Sequence, residues 1–338
     1  MGTRPQIRRC RQLGCLSTDL TTLRCGCWDG GNNVLDHYGW DNPLKPAPFK
    51  YAAPRSLEEL LALKAEHGDD ATFLAGGQSL IPTMNFRLAQ PAILLDLNAL
   101  PDQNTISETA AGGVRIGALV RHADIETSEA IARLQPLAHE AVGYVAHPQI
   151  RNRGTLCGNL AHADPASEMP AVMLALGARM HARSATSERW IDAADFFEGI
   201  FSTALEEDEM LCEVDLPPLP DASGTCFLEI SRRPGDFAMM GVAAVVALDD
   251  AGKCAEARLA YCGAGDTPLL AHGAADILTG EKPDEEVFSN AAREAADEIE
   301  PPGNVHLTGA YQKHLVGVLT GRALRTAVAR AKGAKTNA

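Results

Sequence analysis

Apolar positions along the chain change their spacing several times, and each change marks a predicted element. Leu57, Leu60, Leu61 and Leu63 recur at helical spacing behind Ser56-Leu-Glu-Glu59, a capping box that opens an amphipathic helix ending near Gly68. The strand Ala71 to Ala75 follows directly, and Ala92 to Leu97 and Val114 to Leu119 read as two more. His122 to Glu129 reads as a helix. So does Leu134 to Val145, which packs on the sheet and is broken at His147-Pro148, because proline disfavours helical backbone in the residue before it. The apolar run Met169 to Ala178 has the length of one more helix. From Glu209 the pattern turns to strands at Met210 to Leu216, Cys226 to Ser231, Val242 to Leu248 and Ala255 to Cys262, with Asp249-Asp-Ala-Gly-Lys253 as a hairpin turn. Two or three helices close the chain, at about 271–278, 284–299 and 308–331. Strands followed by helices give a small α+β domain, and the stiff Pro217-Pro-Leu-Pro220 marks the junction before it.

Two glycine loops interrupt the first half. In Phe73-Leu-Ala-Gly-Gly-Gln-Ser-Leu-Ile-Pro82 the pair Gly76-Gly77 lets the backbone bend and bring several N–H groups together as an anion-holding nest. Gln78 and Ser79 add side-chain hydrogen bonds, and the segment from Leu80 to Leu88 offers a helix start. Taken alone, a Gly-Gly pair after a strand is an ordinary turn. A second loop, Thr155-Leu-Cys-Gly-Asn159, lies about eighty residues on and carries His162, Asp164 and Glu168 behind it; two such loops could grip one long cofactor. No Gly-x-Gly-x-x-Gly stands between a strand and a helix, so the dinucleotide fingerprint of a Rossmann fold is missing.

Composition narrows the function classes. The 338 residues are 46% hydrophobic and 22% charged, enough for two packed domains without a bias toward disorder. A formal net charge of −14 with no basic cluster argues against a nucleic-acid surface, and the longest apolar runs are too short for a membrane span. Nine cysteines without a repeated Cys-x-x-Cys suit a reducing, cytoplasmic setting and lack the spacings that hold iron–sulfur clusters. Four of them, Cys10, Cys15, Cys25 and Cys27, lie in an N-terminal stretch that has no sustained period and no ligand spacing for a metal site.

Three motifs in order resemble one family: Ala75-Gly-Gly-Gln-Ser-Leu-Ile-Pro82, Thr155-Leu-Cys-Gly-Asn159 and Arg232-Arg-Pro-Gly-Asp-Phe-Ala238. The chain is similar to the FAD-binding (medium) subunits of molybdenum hydroxylases, the group of aerobic carbon monoxide dehydrogenase and xanthine dehydrogenase. The resemblance spans about 45–332 and implies an α+β fold, with a PCMH-type (vanillyl-alcohol-oxidase-like) FAD domain over 44–220, a carbon monoxide dehydrogenase flavoprotein C-terminal domain over 221–332, and a tail at 333–338. Family members begin near the equivalent of Leu44-Lys-Pro-Ala-Pro-Phe49, so residues 1–43 are expected to be a non-native or disordered extension, testable by the intact mass of the protein expressed from its own gene context.

The resemblance also implies the chemistry. Ala75, Gly76, Gly77, Gln78, Ser79 and Leu80 would hold the FAD pyrophosphate, with Thr155, Leu156, Cys157, Gly158 and Asn159 approaching from the other side. His162 would be a hydrogen-bonding neighbour of the flavin. Asp164 and Glu168 would accept from ribityl or ribose hydroxyls, although Glu168 is equally well explained as a helix-start carboxylate. Asp236 and Met240 would approach the isoalloxazine, and Arg232 and Arg233 would stabilise reduced-flavin charge, make interdomain ion pairs or simply face solvent. Cys157 stands where the family carries a glycine; if that position needs a positive φ or close backbone contact, cysteine strains it. The implied partners are a large molybdopterin subunit and a small [2Fe–2S] subunit, forming a heterotrimer, single or dimerised. An electron relay needs binding and orientation from the protein, not a nucleophile or acid–base pair. The alternatives are an independent flavin oxidase or dehydrogenase of the same fold, and an FAD-free scaffold.

Overall fold

The structure, a computed structural model, describes residues 44–336. The N-terminal extension expected over 1–43, with its four cysteines, lies outside the described residues. Ser56 caps the first helix by accepting from the Glu59 N–H, while the Glu59 carboxylate returns to the N–H of Arg55, one residue earlier than a standard capping box.

A small parallel sheet comes first. It contains β1 (Lys50–Ala52), β2 (Ala71–Leu74) and β3 (Ile93–Asp96), with β3 inserted between the other two. The crossovers are α1 (Leu57–His67) and the short α2 (Leu80–Asn85), the latter starting directly after the first glycine loop. Leu60 and Leu61 of α1 and Ile93 and Leu95 of β3 form its core.

The second layer is an antiparallel five-stranded sheet. Its strands are β4 (Ile106–Glu108), β5 (Val114–Gly117), β6 (Arg179–Arg183), β7 (Glu188–Asp192) and, after the hairpin of β8 (Phe197–Gly199) and β9 (Ser202–Thr203), β10 (Met210–Leu216). β10 is central, paired with β5 on one side and β6 on the other. Between β5 and β6 run α3 (His122–Thr127), α4 (Glu129–Leu134), α5 (Pro136–Val142), α6 (Pro148–Arg151), α7 (Leu156–His162) and α8 (Glu168–Leu176), and the one-turn α9 (Ala193–Phe196) follows β7. The helix expected over 134–145 starts two residues late, because Pro136 begins a new helix at its favoured first position. The second glycine stretch, expected as a loop, is the helix α7.

The last layer is an antiparallel sheet of β11 (Ser223–Ser231), β12 (Ala238–Leu248), β13 (Cys254–Cys262) and β14 (Leu269–Leu270), covered on one face by α10 (His272–Leu278), α11 (Glu285–Glu298) and α12 (Gly309–Thr336). The tail expected from 333 continues α12 to Thr336. The near-continuous apolar run of β12 follows from burial on both faces. Val242, Ala244, Val246 and Leu248 point to the helices, whereas Ala243 and Val245 join Phe227 and Ala260 in the core of the preceding layer. Against that second face lies α8, all nine of whose residues are buried, as an all-round apolar helix requires. Its last turn is fixed by Arg258 of β13, which donates to the Ala175 carbonyl at 2.9 Å.

Candidate functional site

The two glycine stretches meet backbone to backbone. At Gly76 a Cβ would stand 2.4 Å from the Arg153 carbonyl oxygen and 2.7 Å from the Gly154 Cα, so no side chain fits there. Gly77 has a different reason to be glycine: its φ is +71°, in the left-handed region. Gln78 folds back and donates through Nε2 to the Gly76 carbonyl at 3.1 Å. The N–H groups of Gly76, Gly77, Gln78 and Ser79 find no acceptor among the described residues. Across the junction, Thr155 caps α7 by accepting from the Gly158 N–H at 3.1 Å, and a Cβ at Gly158 would lie 2.7 Å from that threonine oxygen and 3.8 Å from Ala75.

This junction forms one wall of a cavity of about 700 Å³, within the size range of cofactor sites. Of the residues singled out in the sequence, Ala75, Gly76, Gly77, Gln78, Ser79 and Leu80 line it from one side and Thr155, Cys157, Gly158, Asn159 and His162 from another. Glu168 and Asp236 complete the set. Three expected residues do not line it. Leu156 is fully buried in the core beneath α7, and Met240 is fully buried among the C-terminal helices because its position in β12 faces away. Asp164 turns into its own loop, where Oδ1 accepts from the Ala166 N–H at 2.9 Å. Arg232 and Arg233 are exposed and do not line the cavity, in line with the solvent-facing reading.

The third motif reaches the cavity because Gly235, at φ +86°, lies on the ring of His147: a Cβ there would be 2.3 Å from Cε1. Asp236 and the exposed Phe237 are thereby carried to the cavity from the last layer. The 164–168 segment is stitched to the same layer, with the Gly263 N–H donating to Pro165 at 2.8 Å and the Ala238 N–H to Ala166 at 3.3 Å. Sequence reading passed over other lining residues: His122, Val145 and Leu211 come from elements whose periodicity assigns them only to packing. His122 packs on Gly154, whose Cα stands against Gly76, a pair of tertiary contacts that no local pattern in the sequence announces.

The electrostatics are those of a partly desolvated site. Burial, aided by Asp164, raises the Glu168 carboxyl to about 7. Burial and then the Glu168 charge raise Glu229 on β11 to about 8, and its Oε2 is buried with no partner. Burial lowers the His162 imidazole, which packs on the Phe201 ring at a centroid distance of 4.9 Å. Cys157 carries no backbone strain, since it sits within α7 with no positive φ, and burial pushes its thiol far above the ordinary range, leaving an inert small side chain. Among the described residues no group of three or more His, Cys, Asp or Glu side chains is placed to hold a metal ion.

Comparison with known proteins agrees with this geometry. The family described as "FAD binding domain in molybdopterin dehydrogenase" matches residues 47–219, and that described as "CO dehydrogenase flavoprotein C-terminal domain" matches 225–327. The chain belongs to the FAD-binding subunit family of the molybdopterin dehydrogenases. The 6-hydroxypseudooxynicotine dehydrogenase complex subunit alpha of Paenarthrobacter nicotinovorans is 40% identical over 292 residues, covering 86% of this chain and 98% of that one. The carbon monoxide dehydrogenase medium chain of Hydrogenophaga pseudoflava is 34% identical, covering 84% and 99%. A solved structure of carbon monoxide dehydrogenase from the same bacterium, which lacks the Mo-pyranopterin moiety of the molybdenum cofactor, superposes with a TM-score of 0.81 at 35% identity, covering 84% and 99%.

The residues present fit FAD, the cofactor of this family. Unengaged backbone N–H groups line one wall, and Gly76 is pressed so closely on Arg153 and Gly154 that a side chain there would force the junction apart.

Proposed function

We propose that this chain is the FAD-binding electron-transfer subunit of a molybdopterin-dependent hydroxylase or dehydrogenase complex. The observation that carries the reading is the meeting of the two glycine stretches, which presents unengaged backbone N–H groups to a cavity large enough for a dinucleotide. Ala75 to Leu80 with Thr155, Cys157, Gly158 and Asn159 hold the diphosphate, Glu168 accepts from a sugar-chain hydroxyl, and Asp236 with Phe237 borders the flavin end. When bound, FAD supplies the redox step, taking electrons that arrive from [2Fe–2S] clusters of a small partner subunit and delivering them to an external acceptor. The chain's own residues bind and orient; none is asked to act as a nucleophile. A large molybdopterin subunit carries out the substrate chemistry, and the relatives named as a complex subunit and a medium chain support such a division of labour. We place the complex in the cytoplasm, where the buried free thiols Cys157, Cys212, Cys226, Cys254 and Cys262 remain reduced.

The test is purification of the full chain from its native host, with flavin, molybdenum and iron measured on whatever accompanies it. Recovery with a larger and a smaller chain carrying molybdenum and iron, and with one flavin per copy, is the expected result. Recovery of a lone flavoprotein that turns over its own substrate would replace this reading with an independent flavoenzyme.

A further inference from the structure

His122 stands at the start of α3, only 3% exposed, and lines the cavity. Its backbone is tied to the glycine junction by its N–H, which donates to the Gly154 carbonyl at 3.0 Å. Its ring lies against Gly154, where a Cβ would be 3.1 Å from Cδ2 and 3.7 Å from Nε2, and the same glycine touches Gly76. No side chain at either glycine separates the imidazole from the first loop.

The two ring nitrogens differ. Nδ1 is buried and has no hydrogen-bond partner. Nε2 also has no partner among the described residues but is not sealed off, so it is the nitrogen open to the cavity. An orphaned N–H is rarer in folded proteins than an orphaned acceptor, which places the single proton of the neutral ring on Nε2. The ring is neutral because burial, and then the Arg151 guanidinium, lower it to about 4. Two nearby cations are otherwise engaged, Arg121 donating to the Arg153 carbonyl and to Asn98 and Arg151 to both Glu126 oxygens at 2.8 and 3.0 Å, while Arg153 lines a separate, smaller pocket with Gly76, Gly77, Gln78 and Asp96.

We propose that His122 is a further cofactor-positioning residue, donating its Nε2–H to a diphosphate oxygen of FAD from beneath the junction of the two glycine stretches. An anionic oxygen is the strongest acceptor a dinucleotide offers, and hydrogen bonds to charged groups exceed neutral ones. The proposal rests on the reading that FAD occupies this cavity.

The test uses the full chain, stripped of flavin and titrated with FAD, in wild-type form and as His122→Leu and His122→Gln. The glutamine amide N–H stands in for Nε2–H. His122→Leu is expected to bind FAD at least about ten-fold more weakly, and His122→Gln to remain within about three-fold of wild type. Nitrogen-15 NMR of histidine-labelled wild type is expected to place the proton on Nε2 and to show its exchange slowed on adding FAD. Leucine binding as tightly as histidine, glutamine failing as badly as leucine, or a proton on Nδ1 would each overturn the role of His122. The NMR and glutamine arms decide even if the leucine variant folds poorly. If wild type itself takes up no FAD, the functional reading falls and this inference with it; if wild type binds and leucine binds equally, only the role of His122 falls.

Discussion

Gly76 and Gly77 are neighbours whose side chains are absent for unrelated reasons, and the difference can be measured. Gly76 is held against the Arg153 carbonyl, so Gly76→Ala must push two backbones apart and is expected to reduce flavin content sharply. Gly77→Ala places a Cβ at φ +71°, at a cost of about 1–2 kcal/mol, and meets only the side chains of Leu74 and Ile81 at 3.1 Å, which can shift where a backbone cannot, so it is expected to retain more flavin. Gly77→Asp adds negative charge at the diphosphate and is expected to abolish flavin binding. The flavin-to-protein ratio of each purified variant is the check, and normal flavin in Gly76→Ala would mean the loops do not press together in solution. Glu229 gives a pH signature. Its carboxyl is raised to about 8, so the protonated form suits the fold; that contribution is complete below the unfolded value near 4.5 and is lost as pH rises through 8. Glu229→Gln should therefore melt with wild type at pH near 4.5 and several degrees above it at pH about 9. A gap that does not change with pH would remove titration as its cause. At this scale the glycines were readable in the sequence but the reason for each was not, because φ and a neighbouring carbonyl are separate facts of the folded backbone.

Among the elements, α12 has the closest fit. Gly224 of β11 lies directly under it, where a Cβ would be 2.0 Å from the Ala327 carbonyl and 2.3 Å from the Ala331 nitrogen. Arg330 then clamps the helix to α5, donating to both Glu140 oxygens at 2.7 and 3.0 Å and to the Thr225 carbonyl at 2.6 Å, while the Phe227 N–H also bonds Glu140 at 3.1 Å. Gly224→Ala is expected to cost about 2–3 kcal/mol or more, and Arg330→Ala about 1–3 kcal/mol by leaving Glu140 less satisfied. Urea titration of both variants tests this, and a Gly224→Ala midpoint equal to wild type would deny the contact. The strands β10 to β13 were legible from their apolar runs, β12 most fully, because its burial on both faces leaves no polar interruption. The hairpin of β6 and β7 was not: Arg179, Arg183, Glu188 and Arg189 make it polar, and only pairing with β10 and the stack of His181 on Trp190 at 4.5 Å give it a place.

For the whole molecule, the division at Pro217-Pro-Leu-Pro220 does not separate two independent cores. Phe227, Ala243, Val245, Ala260 and Cys262 belong to the same cluster as α8 and β10, so both halves bury one shared face. A single cooperative thermal transition is expected, raised as a unit by FAD at concentrations well above its dissociation constant. Two calorimetric peaks, with only the first moved by FAD, would show that the halves fold separately.

The sequence by itself determined the element types wherever periodicity was strong, the three motifs, and through them the family and its cofactor, because turn chemistry and apolar spacing are local properties of the chain. The tertiary structure decided which motif residues share a cavity. It turned Leu156, Met240 and Asp164 away, relieved Cys157 by placing it in a helix, and brought His122 beneath the glycine junction. Those outcomes depend on contacts between segments tens of residues apart, and local spacing carries no information about which face of a helix or strand such a contact will claim.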